Sequence, residues 1–449
     1  MNLNSFETVF FIGIGGIGMS ALALYFHSCQ KNVAGYDKTP SHNTASLQSK
    51  GIKVIFESDI DLVEPKFLDP ATTLIVTTPA VPKSNTILNF FKINDFKVIK
   101  RAEVLGLITN NTKCLAVAGT HGKTTTSSIL GHLMFESQQK VTAFFGGISE
   151  NYKSNLIQNG NEFTVVEADE FDRSFLKLKP TLACITSIDA DHLDIYGTKE
   201  RLITTFETFS KLLPSKGQLF VHTSVPIEGV SYGVEAVADF TATNVKIKDG
   251  GYEFDLKTPN TTIKGLNFYM PGKHNLSNAV AALAMALSSG CNPLKLREAL
   301  KGYKGVERRF SYKIKNESFV FIDDYAHHPK EIDAVREAVN EMFPQKKATV
   351  VFQPHLFSRT SDFADDFADS LSKFDAVLLL DIYPAREAPI KGVNSDWLLE
   401  KITTKTKQLV KKANLAAAIN SIGNPLLITM GAGDIGLEVE ALTKELIYA

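Results

Sequence analysis

Short apolar runs alternate with longer segments of mixed polarity along all 449 residues. Ten of these runs stand out: TVFFIGIG, NVAGYD, TLIVTTPA, CLAVAGT, FTVVEAD, LACITSI, FVFIDDY, ATVVFQP, AVLLLDIY and PLLITMGAG. They are short enough to be strands, and several end in Gly, Asp, Thr or Pro, as strands do where a C-terminal edge opens onto a ligand-binding loop. Strands separated by helix-length segments predict βαβ units and parallel sheets. The Ala/Leu-rich stretch HNLSNAVAALAMALSSG predicts a helix that stops at Gly290. From about 240 to 270 the pattern switches to strict alternation around Gly250-Gly251, which predicts an antiparallel ribbon inserted in the middle of the chain. Breaks in the pattern divide the chain into three α/β domains, 1–107, 108–310 and 311–449.

Composition narrows the class. Lys+Arg number 48 and Asp+Glu 49, so no general electrostatic pull toward nucleic acid or an anionic membrane surface is expected. Hydrophobic residues make up 44% and charged residues 22%, which excludes disorder and coiled coil. Cys29, Cys114, Cys184 and Cys291 are scattered, so they read as free thiols in a reducing compartment. The uncharged stretch 9–26 is long enough to cross a bilayer, but its four central glycines and the lack of a basic flank favour strand, turn and helix start. A cytoplasmic protein without membrane insertion is the expectation.

Three groups of residues carry candidate chemistry. The first is Gly13-x-Gly15-Gly16-x-Gly18 between a strand and a helix, where missing side chains allow close approach to a pyrophosphate. With Asp37 at the end of the next strand placed to bond a ribose hydroxyl, this cluster alone points to NAD, or to a tight turn without ligand. The second is Gly119-Thr120-His121-Gly122-Lys123-Thr124-Thr125, which lacks the first glycine of the usual phosphate loop because Val117 stands there. It keeps the rest: backbone N–H groups to wrap phosphates, Lys123 to neutralise them and the Thr124 hydroxyl to ligate Mg2+. Acidic segments at two later strand ends, Glu167-Ala168-Asp169-Glu170 and Asp189-Ala190-Asp191-His192-Leu193-Asp194, supply hard oxygen ligands. Glu167 and His192 are read as functional, Glu170 and Asp194 as helix caps.

The third group lies downstream. Asn275 and Asn278 fall on one helical face, where their amides can read a base edge, with Asn275 as a plain N-cap the competing view. Arg308-Arg309, the double acid Asp323-Asp324 and Tyr325-x-His327-His328 follow, then Gln353-Pro354-His355-Leu356-Phe357-Ser358-Arg359, whose arginine suits a small carboxylate.

Taken together, GIGGIGMSALA, GTHGKTTT, EADEFDRSF, DADHLDIYG, GKHNLSNAVAA, DDYAHHPKEI and QPHLFSRT occur in an order that resembles the Mur ligases across nearly the whole chain. The resemblance implies a Rossmann-like N-terminal domain for a UDP-sugar, a central P-loop-type ATPase domain with a mostly parallel sheet, and a C-terminal Rossmann-like domain that closes with the amino acid. It turns Gly13, Gly15, Gly16, Gly18 and Asp37 toward a UDP pyrophosphate instead of NAD. It assigns Gly119 to Thr125, Asn275, Asn278, Arg309, Asp323 and Asp324 to ATP, with Thr124, Glu167 and His192 on Mg2+. Lys123, Glu167 and His192 become the catalytic set, and Tyr325, His327, His355 and Arg359 surround the amino acid.

The implied reaction is ATP-dependent amide formation between the lactyl carboxylate of UDP-N-acetylmuramate and L-alanine through an acyl phosphate, in peptidoglycan precursor synthesis. The rival within the family joins the same sugar nucleotide to a murein tripeptide in wall recycling, and DHLDIYG favours the alanine reaction. From another class, an NAD-dependent dehydrogenase would use the first glycine cluster but leave GKTTT unexplained. Two departures stand out: Leu356 replaces an arginine common after the histidine of QPH, and Glu207 lies near where relatives place a carbamoylated lysine.

Overall fold

A computed structural model describes residues 1–189, 196, 198–385 and 387–447. All ten apolar runs form strands, and the chain builds three α/β layers. It divides into two compact units, Met1–Val245 with Glu253–Phe268 and Ser277–Lys304, and Lys246–Tyr252 with Tyr269–Leu276 and Gly305–Ala449.

The first unit holds two sheets. The N-terminal one comprises β1 (Thr8–Ile12), β2 (Asn32–Tyr36), β3 (Lys53–Ile55), β4 (Thr73–Thr77) and β5 (Lys97–Lys100). Its order β3-β2-β1-β4-β5 is parallel throughout, with the strand order reversing beside β1. That reversal is where a doubly wound sheet opens a crevice for ligand, and the first glycine loop leaves β1 there. The charge-free stretch 9–26 is thus strand, turn and the start of the helix Ile17–Ser28. No helix among the described residues is long and apolar enough to cross a membrane.

The second sheet has ten strands: β6 (Lys113–Ala118), β7 (Val141–Ser149), β8 (Ser154–Gln158), β9 (Phe163–Glu167), β10 (Leu182–Ile185), β11 (Gln218–His222), β12 (Val230–Val234), β13 (Phe240–Lys248), β14 (Gly251–Lys257) and β15 (Thr262–Phe268). Their order is β15-β14-β13-β12-β11-β10-β6-β9-β7-β8. Parallel neighbours β9 and β10 flank β6, pairing Val117 with Glu167 and Ala118 with Ile185. The loops after all three strands therefore emerge side by side. The alternating stretch 240–270 forms β13, β14 and β15, and the two-residue Asp249-Gly250 link, both at positive φ, turns the chain back on itself.

The two sheets of this unit share a core. Val9, Phe11 and Phe26 from the first layer and Phe144, Phe175, Phe206 and Phe209 from the second belong to one buried cluster. Asn155 of β8 donates its amide to Ile17 O at 2.7 Å and Ser20 Oγ at 2.8 Å, tying the first helix to the second sheet. The segment joining the layers is the helix Arg101–Thr109, which contains residue 107.

The second unit contains β16 (Ser311–Lys315), β17 (Val320–Asp324), β18 (Ala348–Phe352), β19 (Ala376–Leu379), β20 (Thr406–Leu409) and β21 (Leu426–Met430). Their order is β16-β17-β21-β18-β19-β20, antiparallel only at β16. Placing β21 between β17 and β18 gathers the C-terminal ends carrying Asp323-Asp324, Gln353 and Gly431.

Candidate active site

The glycine loop after β6 needs its glycines. Gly119 sits at φ +132°, and a methyl there would lie 2.1 Å from Thr186 Oγ1. Gly122 sits at φ +82° as the N-cap of the helix Lys123–Glu136, with no side chain capping the first turn. A helix start with open N–H groups is suited to phosphate. Asn278 lies beside it, close enough that a Gly122 methyl would meet Oδ1 at 2.6 Å. The loop is braced from β10: Ser187 Oγ accepts from His121 N–H at 2.9 Å and contacts Thr120 Oγ1 at 2.9 Å, while Asp189 N–H donates to Thr120 Oγ1 at 3.0 Å.

Lys123 and Thr124 start the helix and reach the end of β9. Thr124 Oγ1 lies 2.9 and 3.1 Å from the two oxygens of Glu167. A Gly146 methyl would come within 2.0 Å of Glu167 and 2.9 Å of Thr124 Oγ1, so glycine keeps this pocket open. Lys123 Nζ donates to Gly119 O at 2.6 Å and pairs with Glu170 at 2.9 Å. Burial opposes charge on this lysine, but Glu170, Asp169 and Glu167 outweigh it and hold the ammonium above the ordinary lysine range.

Glu170 corrects the sequence reading. It stands at the N-cap of the turn Phe171–Lys177, yet its carboxylate makes no capping bond and is fully buried against Lys123. A charge this buried is stable only when paired. Glu207 lies on the exposed face of the helix Lys199–Ser210, opposite its buried Leu202, Phe206 and Phe209. His192, Asp191 and Asp194 fall outside the described residues. Among the described residues no three His, Cys, Asp or Glu side chains cluster as a metal site.

In the first glycine cluster, Gly13 takes φ +87°, and Gly15 donates its N–H to Asp37 Oδ2 at 2.8 Å. A Gly15 methyl would meet that same oxygen at 2.9 Å and Thr44 Cγ2 at 2.8 Å. A Gly18 methyl would meet Arg101 at 2.8 Å. Asp37, expected at a ribose, therefore has one carboxylate oxygen on the loop backbone, and Tyr36 O accepts from Gly13 and Ile14. Gly16 caps the helix Ile17–Ser28 without a side chain.

In the second unit, Asp323 accepts from Thr429 Oγ1 at 2.8 Å and pairs with Arg308 at 3.3 Å. Asp324 accepts from the N–H groups of Phe310 and Ala326, each at 2.7 Å, and burial pushes its carboxyl up to about 6. Arg308 and Arg309 both lie against the Tyr325 ring, their guanidinium carbons 5.1 and 5.0 Å from its centre. Asn275 is not an N-cap: it lies inside the helix Lys273–Ser288 and donates its amide to Pro271 O at 2.7 Å.

Tyr325, His327 and His355 come together, with ring centres 5.4 Å apart for the first pair and 6.2 Å for the histidines. His327 Nδ1 lies 3.3 Å from Glu331. His355 stacks on Tyr383, and its Nδ1 is buried without a hydrogen-bond partner among the described residues. Burial, His327 and Arg359 push His355 down to about 4, so its ring is neutral at pH 7.

Comparison with known proteins follows this geometry. The Mur ligase family catalytic domain matches residues 8–113, the Mur ligase middle domain 117–286 and the Mur ligase glutamate ligase domain 308–433. A UDP-N-acetylmuramate–L-alanine ligase of Flavobacterium psychrophilum is 56% identical over 99% of both chains. The chain belongs to the Mur ligase family. A ligase of the same name from Parabacteroides distasonis is 46% identical over 100% of this chain and 98% of its own. The crystal structure of a UDP-N-acetylmuramate-alanine ligase from Thermotoga maritima matches this Mur ligase with a TM-score of 0.84 at 27% identity, over 98% of this chain and 99% of that one. A murein peptide ligase from Psychrobacter arcticus shares the fold, with a TM-score of 0.73 at 20% identity over 98% of each chain.

Proposed function

We propose that this Mur ligase joins L-alanine to the lactyl carboxylate of UDP-N-acetylmuramate, converting ATP to ADP and phosphate. The observation that carries the reading is the 56% identity, over 99% of both chains, to a relative named for that pair of substrates. The same membership leaves the dehydrogenase reading of the first glycine cluster without support. The murein peptide ligase of known structure, at 20% identity, shares the fold alone. We assign the three domains to 1–107, 108–310 and 311–449, and the reaction to the cytoplasm.

A carboxylate is a poor acyl donor because oxide is a poor leaving group. The lactyl oxygen bonds to the γ-phosphorus while the β,γ-bridging oxygen departs with ADP. The amine nitrogen of L-alanine then bonds to the acyl carbon, loses a proton, and phosphate leaves. Gly119, Thr120, His121, Gly122 and Thr125 shape the phosphate cradle, and Lys123, kept charged by the acids around it, offsets the charge that develops on the transferring phosphoryl group.

The Thr124 hydroxyl and the Glu167 carboxylate, 2.9 Å apart, form a hard-oxygen pair that fits Mg2+, and we assign His192 to the same ion. If bound there, Mg2+ would supply charge neutralisation for the transferring phosphoryl group. Asn275, Asn278, Arg309, Asp323 and Asp324 serve the nucleotide. The first helix N-terminus, with Gly13, Gly15, Gly16 and Gly18, takes the UDP pyrophosphate, and Asp37 holds that loop. Tyr325, His327, His355 and Arg359 receive the amino acid, the arginine on its carboxylate and the neutral imidazole of His355 as an acceptor for an amine N–H.

The test is release of ADP and phosphate with Mg-ATP and UDP-N-acetylmuramate, adding L-alanine or the murein tripeptide in parallel. L-alanine-dependent turnover is expected. Turnover with the tripeptide alone moves the chain to wall recycling, and none with either overturns the assignment of the sugar nucleotide.

A further inference from the structure

Two backbone bonds staple the segment carrying His355 and Arg359 to Tyr383, and a third ties Glu387 to Pro384. Tyr383 N–H donates to Pro354 O at 2.8 Å, Leu356 N–H donates to Tyr383 O at 2.9 Å, and Glu387 N–H donates to Pro384 O at 2.9 Å. The rings of His355 and Tyr383 stack at 5.7 Å and 18°. Between His355 and the short helix Phe357–Asp362 stands Leu356 at φ +71° and ψ 136°. That backbone region is almost confined to glycine, so a leucine stays there only if its surroundings hold it.

One side chain adds to that hold. Glu387 Oε2 accepts from Ser358 N–H at 3.0 Å, and its other oxygen accepts from the Ser358 hydroxyl. The N–H of Phe357 is also directed at this carboxylate. These bonds outweigh partial burial and keep the carboxyl below the usual glutamate range. Leu356 itself gives the helix no side-chain cap, so Glu387, 29 positions beyond Ser358, supplies it. A carboxylate there also answers the positive end of the helix.

We propose that Glu387 is a positioning residue for the amino-acid site, capping the Phe357–Asp362 turn so that His355 and Arg359 stay registered with His327. The inference rests on the reading of those residues as the alanine side of the ligase. Glu387 touches none of the reacting atoms; it acts through the backbone of Phe357 and Ser358. Losing the cap releases the strained Leu356 linkage and lets the imidazole and guanidinium drift from their common locus. Ground-state capture of the small zwitterion suffers first, because its few contacts all come from this locus.

The experiment compares full-length wild type with E387A, E387Q and S358A in steady-state kinetics with each substrate varied. For E387A the KM for L-alanine rises about tenfold or more, as expected for losing a charge-assisted cap. Its KM values for ATP and UDP-N-acetylmuramate stay within about twofold, since neither site uses this turn. E387Q, which keeps an acceptor oxygen, recovers part of the loss, and S358A shows a smaller rise; both still report if E387A does not fold. An unchanged KM for L-alanine in E387A overturns the inference, as does a uniform loss in all three KM values alongside an early unfolding transition. Wild-type protein that shows no L-alanine-dependent turnover overturns the parent reading and takes this one with it, so the two failures are distinguishable.

Discussion

Replacing Glu170 by Gln removes one charge from the most buried ion pair of the phosphate loop. The Lys123 and Glu170 side chains are 13% and 0% exposed, so the value for buried pairs applies instead of the near-zero value for surface pairs. Breaking such a pair by losing one partner costs about 3–5 kcal/mol. Two features of the structure put this case at the lower end. Asp169 and Glu167 still favour charge on Lys123, and glutamine keeps an oxygen that can accept from Nζ. A loss of about 3 kcal/mol lowers the melting temperature of a domain of this size by about 6–12 °C.

The nucleotide gives a sharper test of the same pair. Lys123 is bound by Glu170 and Gly119 O, so arriving phosphates compete for it. Without Glu170 that competition weakens, and Mg-ATP should raise the melting temperature of E170Q by more than it raises that of wild type. Each tenfold gain in relative affinity contributes about 1.4 kcal/mol to the difference at saturation. Differential scanning fluorimetry across a titration of a non-hydrolysable ATP analogue measures both effects. A melting temperature within 2 °C of wild type (about 1 kcal/mol or less), together with an equal nucleotide-induced shift, refutes the argument.

Three further outcomes follow from the site. K123A loses several orders of magnitude in kcat while UDP-N-acetylmuramate binding, followed calorimetrically, stays near wild type; near-normal kcat removes Lys123 from phosphoryl transfer. E167Q raises the Mg2+ concentration needed for half-maximal turnover, and an unchanged Mg2+ titration makes Glu167 a structural partner of Thr124. Asp324, raised from 3.8 to about 6 by burial, holds its proton more tightly folded than unfolded, so its contribution to stability is present below pH 3.8 and is lost as pH rises to 6. The loss amounts to about 3 kcal/mol, and urea unfolding between pH 4 and 6 should fall less steeply for D324N than for wild type. Parallel slopes refute that assignment.

The sequence displayed the sheets plainly because buried parallel strands read as continuous apolar runs, and each of the ten runs became a strand. It also displayed residues whose chemistry is local: the GKTT loop at a strand–helix junction, and the acid at the end of β9. The shared core of the first two layers left no local trace, since Asn155 meets Ile17 and Ser20 across more than 130 residues. Glu170 was misread because a glutamate before a short helix resembles a cap, and only the fold reveals that Lys123 lies over it. Glu387 belonged to no motif.

The carboxylates whose partners a linear reading does not show share one physical role. Glu170 holds Lys123 from 47 positions away, Asp37 holds Gly15 from 22, Asp323 holds Arg308 from 15, and Glu387 holds Ser358 from 29. Glu170, Asp37 and Asp323 lie at or just beyond the C-terminal end of a strand and secure a loop or cation, and Glu387 does the same from a turn stapled to the end of β18. A parallel sheet produces this arrangement of itself, because it lines up strand ends that are far apart in the chain. Ligand-binding loops rich in glycine carry few side chains with which to hold their own shape, so the holding group must come from a neighbouring strand end or loop. Motifs therefore expose candidate residues, while which carboxylate fixes which loop becomes visible only when the strands are put side by side.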